Sequence, residues 1–256
     1  MEELKKVLNG NIPSWCKRIV KQAGRGINRF SMIEEGDTVL LGISGGKDSL
    51  ALAFCLSLRR SWLPITYKLR AAVIDWREYP IPEQSRADLE MFFQLLDIEY
   101  EFIRARMFSS GFEGRFDCYL CSRNRKRILF EKASEYNIGK IALGHHLDDI
   151  VETTLINLCL RGNFSTMMPV QRFFGGEMTI IRPMCEVYER DIQKLTTRLD
   201  MPVHETECPY RHSNIREEIK PILRQLQHLD KRVKEHIYQA HFNVNTDYGD
   251  FSSIGN

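Results

Sequence analysis

Apolar residues along this chain change their spacing repeatedly, and each change marks an element. "DTVLLGIS" (37–44) is an unbroken apolar run of strand length, and "SLALAFCLSLRR" (49–60) is the helix after it. "KLRAAVIDW" (68–76) predicts a second strand, and "EQSRADLEMFFQLLD" (83–97) carries apolar residues at helical spacing. A third strand is predicted over 99–105, a helix over 121–137, a fourth strand over 140–146 and a helix over 147–161. "MTIIRPM" (178–184) is a fifth strand, followed by a helix over 186–200. Strand and helix alternate throughout, so the expected fold is α/β: a parallel-stranded sheet flanked by helices on both faces. Residues 1–36 and 209–256 are expected to be helical additions at either end of a central domain over 37–208. Such sheets bind ligands beyond the carboxyl ends of their strands. That rule singles out 44–49, Asp75, 144–149 and Arg182.

Composition narrows the class without naming a function. The chain has 256 residues, 43% hydrophobic and 27% charged, enough to bury a substantial core. No apolar stretch approaches the roughly 20 residues that span a bilayer. The start, "MEELKKVLNG", lacks a secretory signal pattern, so a cytoplasmic location with no membrane partner is expected. A net charge of +2 names no partner, but "CKRIVKQAGRGINR", "SRNRKR" and "LRQLQHLDKRVK" concentrate basic residues. Each could be a solvated helix face; three together point to an RNA or nucleotide partner. Lys17, Arg18, Lys21, Arg25 and Arg127, with Arg216, Arg224, Lys231 and Arg232, are the expected phosphate contacts.

"LGISGGKDSLALAF" (41–54) places a glycine-rich turn between a strand and a helix, directing backbone N–H groups and the positive helix end at one point, which suits phosphate. It is not the NTPase P-loop, G-x-x-x-x-G-K-S/T: Leu41 stands where the first glycine belongs, and Asp48 follows Lys47 where a hydroxyl should hold magnesium. S-G-G-K-D-S after a strand resembles instead the PP-loop of the ATP pyrophosphatase superfamily, whose members split ATP between the α- and β-phosphates and transfer AMP to an oxygen. On that resemblance Gly45 and Gly46 allow close backbone approach, Lys47 supplies charge, Ser44 and Ser49 donate hydroxyl hydrogen bonds, and Asp48 helps hold Mg²⁺.

"LGHHLDDIVETTLINLCLRG" (143–162) puts Asp148 and Glu152 on one face at a helix start, where the helix dipole alone would favour carboxylates. The block also resembles the G-H-x-x-D-D-x-x-E-T element of PP-loop tRNA-modifying enzymes. That likeness marks Asp149, with Asp148 as the alternative, as Mg²⁺ ligand or proton acceptor, and gives Gly144, His145 and His146 to the nucleotide pocket along with Asp75.

Seven cysteines in a reducing compartment are read for metal chemistry. Cys118 and Cys121 form C-x-x-C at a helix start, where thiolates are favoured, and Cys208 stands in "HETECPYRHSN". The three resemble the set with which tRNA thiolases of the 2-thiocytidine synthetase type hold a 4Fe–4S cluster, leaving one iron open to carry sulfide. "LGISGGKDS", "CYLCSRNRKRILFEKASE", "KIALGHHLDDIVETTLINL", "IIRPMCEVYERDI" and "ECPYR" follow that family's order over nearly the whole chain. One departure is Cys208–Pro209–Tyr210–Arg211, where family members commonly carry a second C-x-x-C. Adding His212 would make a three-cysteine, one-histidine zinc site, which stays open at this point. Cys16, Cys55, Cys159 and Cys185 are expected to be packing residues.

The resemblance implies that ATP adenylates a pyrimidine C2 oxygen, that of cytidine 32 in tRNA, and that sulfide displaces AMP. It implies Lys47, Asp149 and Arg125 as catalytic residues and Arg182 on the α-phosphate. Implied partners are tRNA and a sulfur donor such as a cysteine desulfurase or free sulfide, with a homodimer left open. Two other readings are a lysidine synthetase-like ligase, which shares "HLDDxxET" but needs no metal, and a catalytically silent RNA-binding module pinned by zinc.

Overall fold

A computed structural model describes residues 1–108, 118–204 and 215–244, the Cys118 side chain excepted. Its contacts divide the chain into two compact units, one of residues 1–147 and 168–214, the other of 148–167 and 215–256.

The first unit holds a sheet built of β1 (Thr38–Ile43), β2 (Lys68–Trp76), β3 (Glu99–Ala105), β4 (Lys140–Ala142), β5 (Val170–Phe173) and β6 (Met178–Ile181) in the order β3-β2-β1-β4-β6-β5. Pairings through β6 are parallel, with Thr38 opposite Lys68 and Val39 opposite Lys140. The strand order reverses at β1, between β2 and β4. That reversal opens the crevice where ligands of doubly wound sheets bind. The sequence pattern missed β5, which runs antiparallel to β6 and closes that edge.

Helix α3 (Lys47–Arg60) follows β1 and is buried from Ser49 to Arg59. Its nearly all-round apolar surface suits a helix enclosed on every side. The sheet covers one side. The others meet α2 (Ser14–Arg29), which comes after the short α1 (Glu2–Leu8), and α7 (Glu189–Arg198). At Gly24 a Cβ would fall 1.8 Å from the Arg59 guanidinium, so the glycine leaves the room that this side chain occupies between α2 and α3. Helix α4 (Glu83–Leu95) links β2 to β3, and α5 (Cys118–Glu135) links β3 to β4.

The second unit contains most of α6 (Leu147–Arg161), with α8 (Ile215–Leu229) and α9 (Val233–Ala240). Thr154 ties α6 to the segment after it through the Thr166 hydroxyl, 2.8 Å away, and Asn157 does the same to Ser165. No helix among the described residues is long and apolar enough to cross a membrane.

Candidate active site

The turn after β1 is shaped by its glycines. Gly45 has φ +81°, a conformation that side-chain-bearing residues rarely adopt, and Gly46 is extended just ahead of α3. The two serines are spent on the loop itself. The Ser49 hydroxyl donates to the Gly46 carbonyl at 2.9 Å and accepts from the Ser44 N–H at 3.3 Å, and the Ser44 hydroxyl accepts from the Gly46 N–H at 3.4 Å. These bonds fix the turn before any ligand arrives.

Lys47 opens α3 with its ammonium 3.0 Å from Asp48 Oδ1 and 3.1 Å from Glu189 Oε1. Burial works against its charge, but the Asp48 and Glu189 carboxylates outweigh burial and raise its pKa above the ordinary lysine value. Lys47 is therefore a fixed cation at neutral pH, held at the helix end that faces the crevice.

Gly144, just past β4, forms the opposite wall. A Cβ there would lie 2.8 Å from the Asp48 carbonyl carbon and oxygen and 3.0 Å from the Ser49 nitrogen. The first turn of α3 thus rests directly on the backbone leaving β4. Beside it, buried His146 places Nε2 3.5 Å from Asp48 Oδ1, with half-buried His145 preceding it.

Asp75, at the end of β2, is buried and accepts the Ile81 N–H at 2.9 Å, with Arg86 and Arg104 guanidinium nitrogens at 4.0 and 3.9 Å. It pins the loop that leads to α4. Arg182, just after β6, is buried with its guanidinium on the Met168 carbonyl and 3.3 Å from Gln171 Oε1. Arg125, half-buried on α5, lies 5.8 Å from the centre of the Trp76 ring.

Periodicity gave no signal for two further residues. His204 donates its backbone N–H to the Gly45 carbonyl at 2.9 Å and sets Nδ1 3.2 Å from the Ser85 hydroxyl, clasping the loop from the segment that leads towards Cys208. Lys126, half-buried on α5, has its pKa lowered, first by burial and then by the positive charge of Arg182. Among the described residues its ammonium forms no ion pair. A lysine left in that state suits an anion that arrives with the substrate.

Cys121 is half-buried, packed with Leu120 against a cluster that includes Leu129 and Ile128. Cys118 begins the same helix one turn earlier, so the two residues share a face at the helix's positive end. Cys208 and His212 lie outside the described residues. Of the cysteines expected only to pack, Cys16, Cys55 and Cys185 are fully buried, and burial pushes the Cys16 thiol up to about 12. Cys159 is exposed on α6, contrary to expectation, because the apolar run around it turns this face outward.

In the second unit, both aspartates at the start of α6 are met by cations. Arg216 Nη1 lies 2.7 Å from Asp149 Oδ1 and its Nη2 donates to the Thr153 hydroxyl at 3.3 Å, while the Lys234 ammonium pairs with buried Asp148. Arg216 thus holds a carboxylate, where the charge pattern suggested RNA phosphate. Arg127 is likewise turned to Glu131 and Asn124.

The loop fits a nucleotide triphosphate: a left-handed glycine, N–H groups at a helix start, a charged lysine and a wall that admits no side chain. Asp48 and Asp149 are hard oxygen donors of the kind Mg²⁺ takes.

Known proteins agree with this geometry. The model of a PP-loop domain matches residues 18–223. A tRNA-cytidine(32) 2-sulfurtransferase of Ralstonia pickettii (strain 12J) is 32% identical over 248 residues, spanning 93% of this chain and 78% of the relative. One from Marinobacter nauticus is 38% identical over 192 residues, covering 73% of this chain and 62% of its own length. Among solved structures, the U34-tRNA thiolase NcsA from Methanococcus maripaludis, described with its 4Fe–4S cluster, superposes with a TM-score of 0.73 at 21% identity. That match covers 89% of this chain and 78% of the thiolase, and it establishes the shared fold. The chain belongs to the PP-loop family, in its branch of 2-thiocytidine synthetase-type tRNA thiolases.

Proposed function

We propose that this protein adenylates the C2 oxygen of a cytidine in tRNA, position 32 in its relatives, and replaces that oxygen with sulfur. The observation that carries the reading is the glycine turn at 45–46 closed against Gly144, a cradle for phosphate with a fixed lysine at its mouth. A pyrimidine C2 oxygen leaves poorly as oxide; joined to AMP it leaves well. The loop N–H groups and Lys47 stabilise negative charge building on pyrophosphate as the bond between the α- and β-phosphorus breaks. Asp48, beside Lys47, would help hold the Mg²⁺ that accompanies ATP, and Asp149 is assigned from its motif as magnesium ligand or proton acceptor. Arg182, fixed on the Met168 carbonyl, is assigned to steady the α-phosphate, with Lys126 within reach of its charge.

Cys118 and Cys121, one turn apart at a helix start, fit two ligands of a cluster, and Cys208 is the third we assign. When bound, the 4Fe–4S cluster supplies the site that delivers sulfur to C2. Arg125, four residues after Cys121, is assigned to orient the base. The base must leave its stack to reach the crevice. We place the reaction in the cytoplasm, with sulfur coming from a cysteine desulfurase or from free sulfide.

Anaerobic purification with iron and sulfide analysis, followed by nucleoside mass spectrometry of tRNA from cells lacking the protein, tests the reading. Iron, acid-labile sulfide and loss of 2-thiocytidine are expected. Zinc in place of iron, or an unchanged nucleoside profile, would refute it.

A further inference from the structure

Helix α2 turns a face to solvent that carries only one sign of charge. Its buried stripe runs through Cys16, Ile19, Val20, Ala23 and Ile27, which leaves Lys17, Arg18, Lys21 and Arg25 exposed on the opposite side. The sequence shows these four as a basic run. What it does not show is the neighbour. Helix α7 packs beside α2 and adds Arg190, Lys194 and Arg198, which lie far away in the chain.

Half-buried Trp15 joins the two helices, with Lys194 Nζ 5.8 Å and the Arg198 guanidinium carbon 5.2 Å from its ring centre. Cation–π contact holds both charges at the surface without neutralising them. Acids touch only part of the face: Asp191 lies 4.0 Å from Arg18, and Glu186 lies 4.0 Å from Arg25. Among the described residues Lys17, Lys21, Arg190, Lys194 and Arg198 have no carboxylate partner. The face is also continuous with the nucleotide loop, because Arg190 follows Glu189, which touches Lys47. From there α7 carries the charge outward for about 14 Å at 1.5 Å per residue.

We propose that the α2–α7 face is the docking surface for the sugar–phosphate backbone of the tRNA substrate, leading the strand towards the nucleotide loop. The inference rests on the tRNA reading above. A ladder of unneutralised cations, anchored on an aromatic ring and ending at the site of chemistry, matches a polyanion that must enter there.

The test compares the full chain with a variant carrying Lys17→Gln, Lys21→Gln, Lys194→Gln and Arg198→Gln, using an unmodified tRNA transcript across a salt series and ATP binding in parallel. If four phosphate contacts are lost, the slope of log affinity against log salt should flatten by about 3, and binding near 50 mM salt should weaken at least about tenfold. ATP binding should not change. A second variant, Lys17→Arg with Lys21→Arg, keeps the charge and should keep wild-type binding. Wild-type affinity and slope in the quadruple variant would overturn the proposal. So would intact tRNA binding with lost sulfur uptake from a cysteine desulfurase, which would make the face a dock for an acidic protein. Failure of the tRNA reading itself shows separately, as a wild-type protein that does not bind tRNA.

Discussion

Gly144→Ala offers a direct probe of the cradle. The added methyl would sit 2.8 Å from the Asp48 carbonyl carbon and oxygen and 3.0 Å from the Ser49 nitrogen. All three are backbone atoms in the first turn of α3, so no flexible side chain can yield. Either β4 or the start of α3 must retreat by several tenths of an ångström, and overpacking of this kind costs about 1–3 kcal/mol. A melting temperature lower by about 2–4 °C per kcal/mol should follow. The larger effect falls on chemistry, because displacement approaching 1 Å at reacting groups costs on the order of a hundredfold in rate. Gly42→Ala is the control: its methyl would meet the Leu143 and Leu129 side-chain methyls at 2.8 and 2.9 Å, where side chains can give. Thermal melts should show the smaller destabilisation in Gly42→Ala, and pyrophosphate release with tRNA should show a large rate loss only in Gly144→Ala. Wild-type turnover in Gly144→Ala would refute the claim that this wall sets the loop.

Lys126→Met should stabilise the fold near neutral pH while slowing adenylation. A lysine whose folded pKa is lowered carries a penalty that is full below that pKa and disappears as pH rises towards the unfolded value of 10.5. The stability gain, read by urea titration at several pH values, should therefore vanish above that pH; a variant less stable at pH 7 would contradict it. Lys47 has the opposite sign: its stabilising pairs persist below 10.5 and are lost only as pH rises past the raised folded pKa, so pH–rate profiles between about 6 and 9 should show no limb from it. Arg216→Gln removes a guanidinium bonded to Asp149 and should cost about 1–3 kcal/mol of stability, read by urea titration. A variant with unchanged stability would show that pair to be idle.

What could be read from the sequence follows the reach of each signal. β1, the glycine turn and α3 are contiguous, so periodicity and motif located them together. The four residues of β5 have no periodicity of their own and exist as a strand only through pairing with β6. His204 is defined by its backbone bond to Gly45, and Lys126 by burial and the charge of Arg182, both distant in the chain, and no local pattern announces either. Arg216 shows the limit of charge runs: a cation's sequence neighbours do not reveal whether it faces a carboxylate or solvent. The motif names Ser44 and Ser49, but only coordinates reveal that the Ser49 hydroxyl donates to the Gly46 carbonyl and accepts the Ser44 N–H.

The central claim joins ATP cleavage at the glycine turn to sulfur transfer at C2. Its most direct test is a reaction of cluster-loaded protein with ATP, unmodified tRNA and isotopically labelled sulfide, followed by digestion and nucleoside mass spectrometry. The account predicts labelled 2-thiocytidine, formed with equal amounts of AMP and pyrophosphate and absent from Cys121→Ser. Pyrophosphate release that leaves cytidine unchanged, or labelled product undiminished in Cys121→Ser, would contradict it.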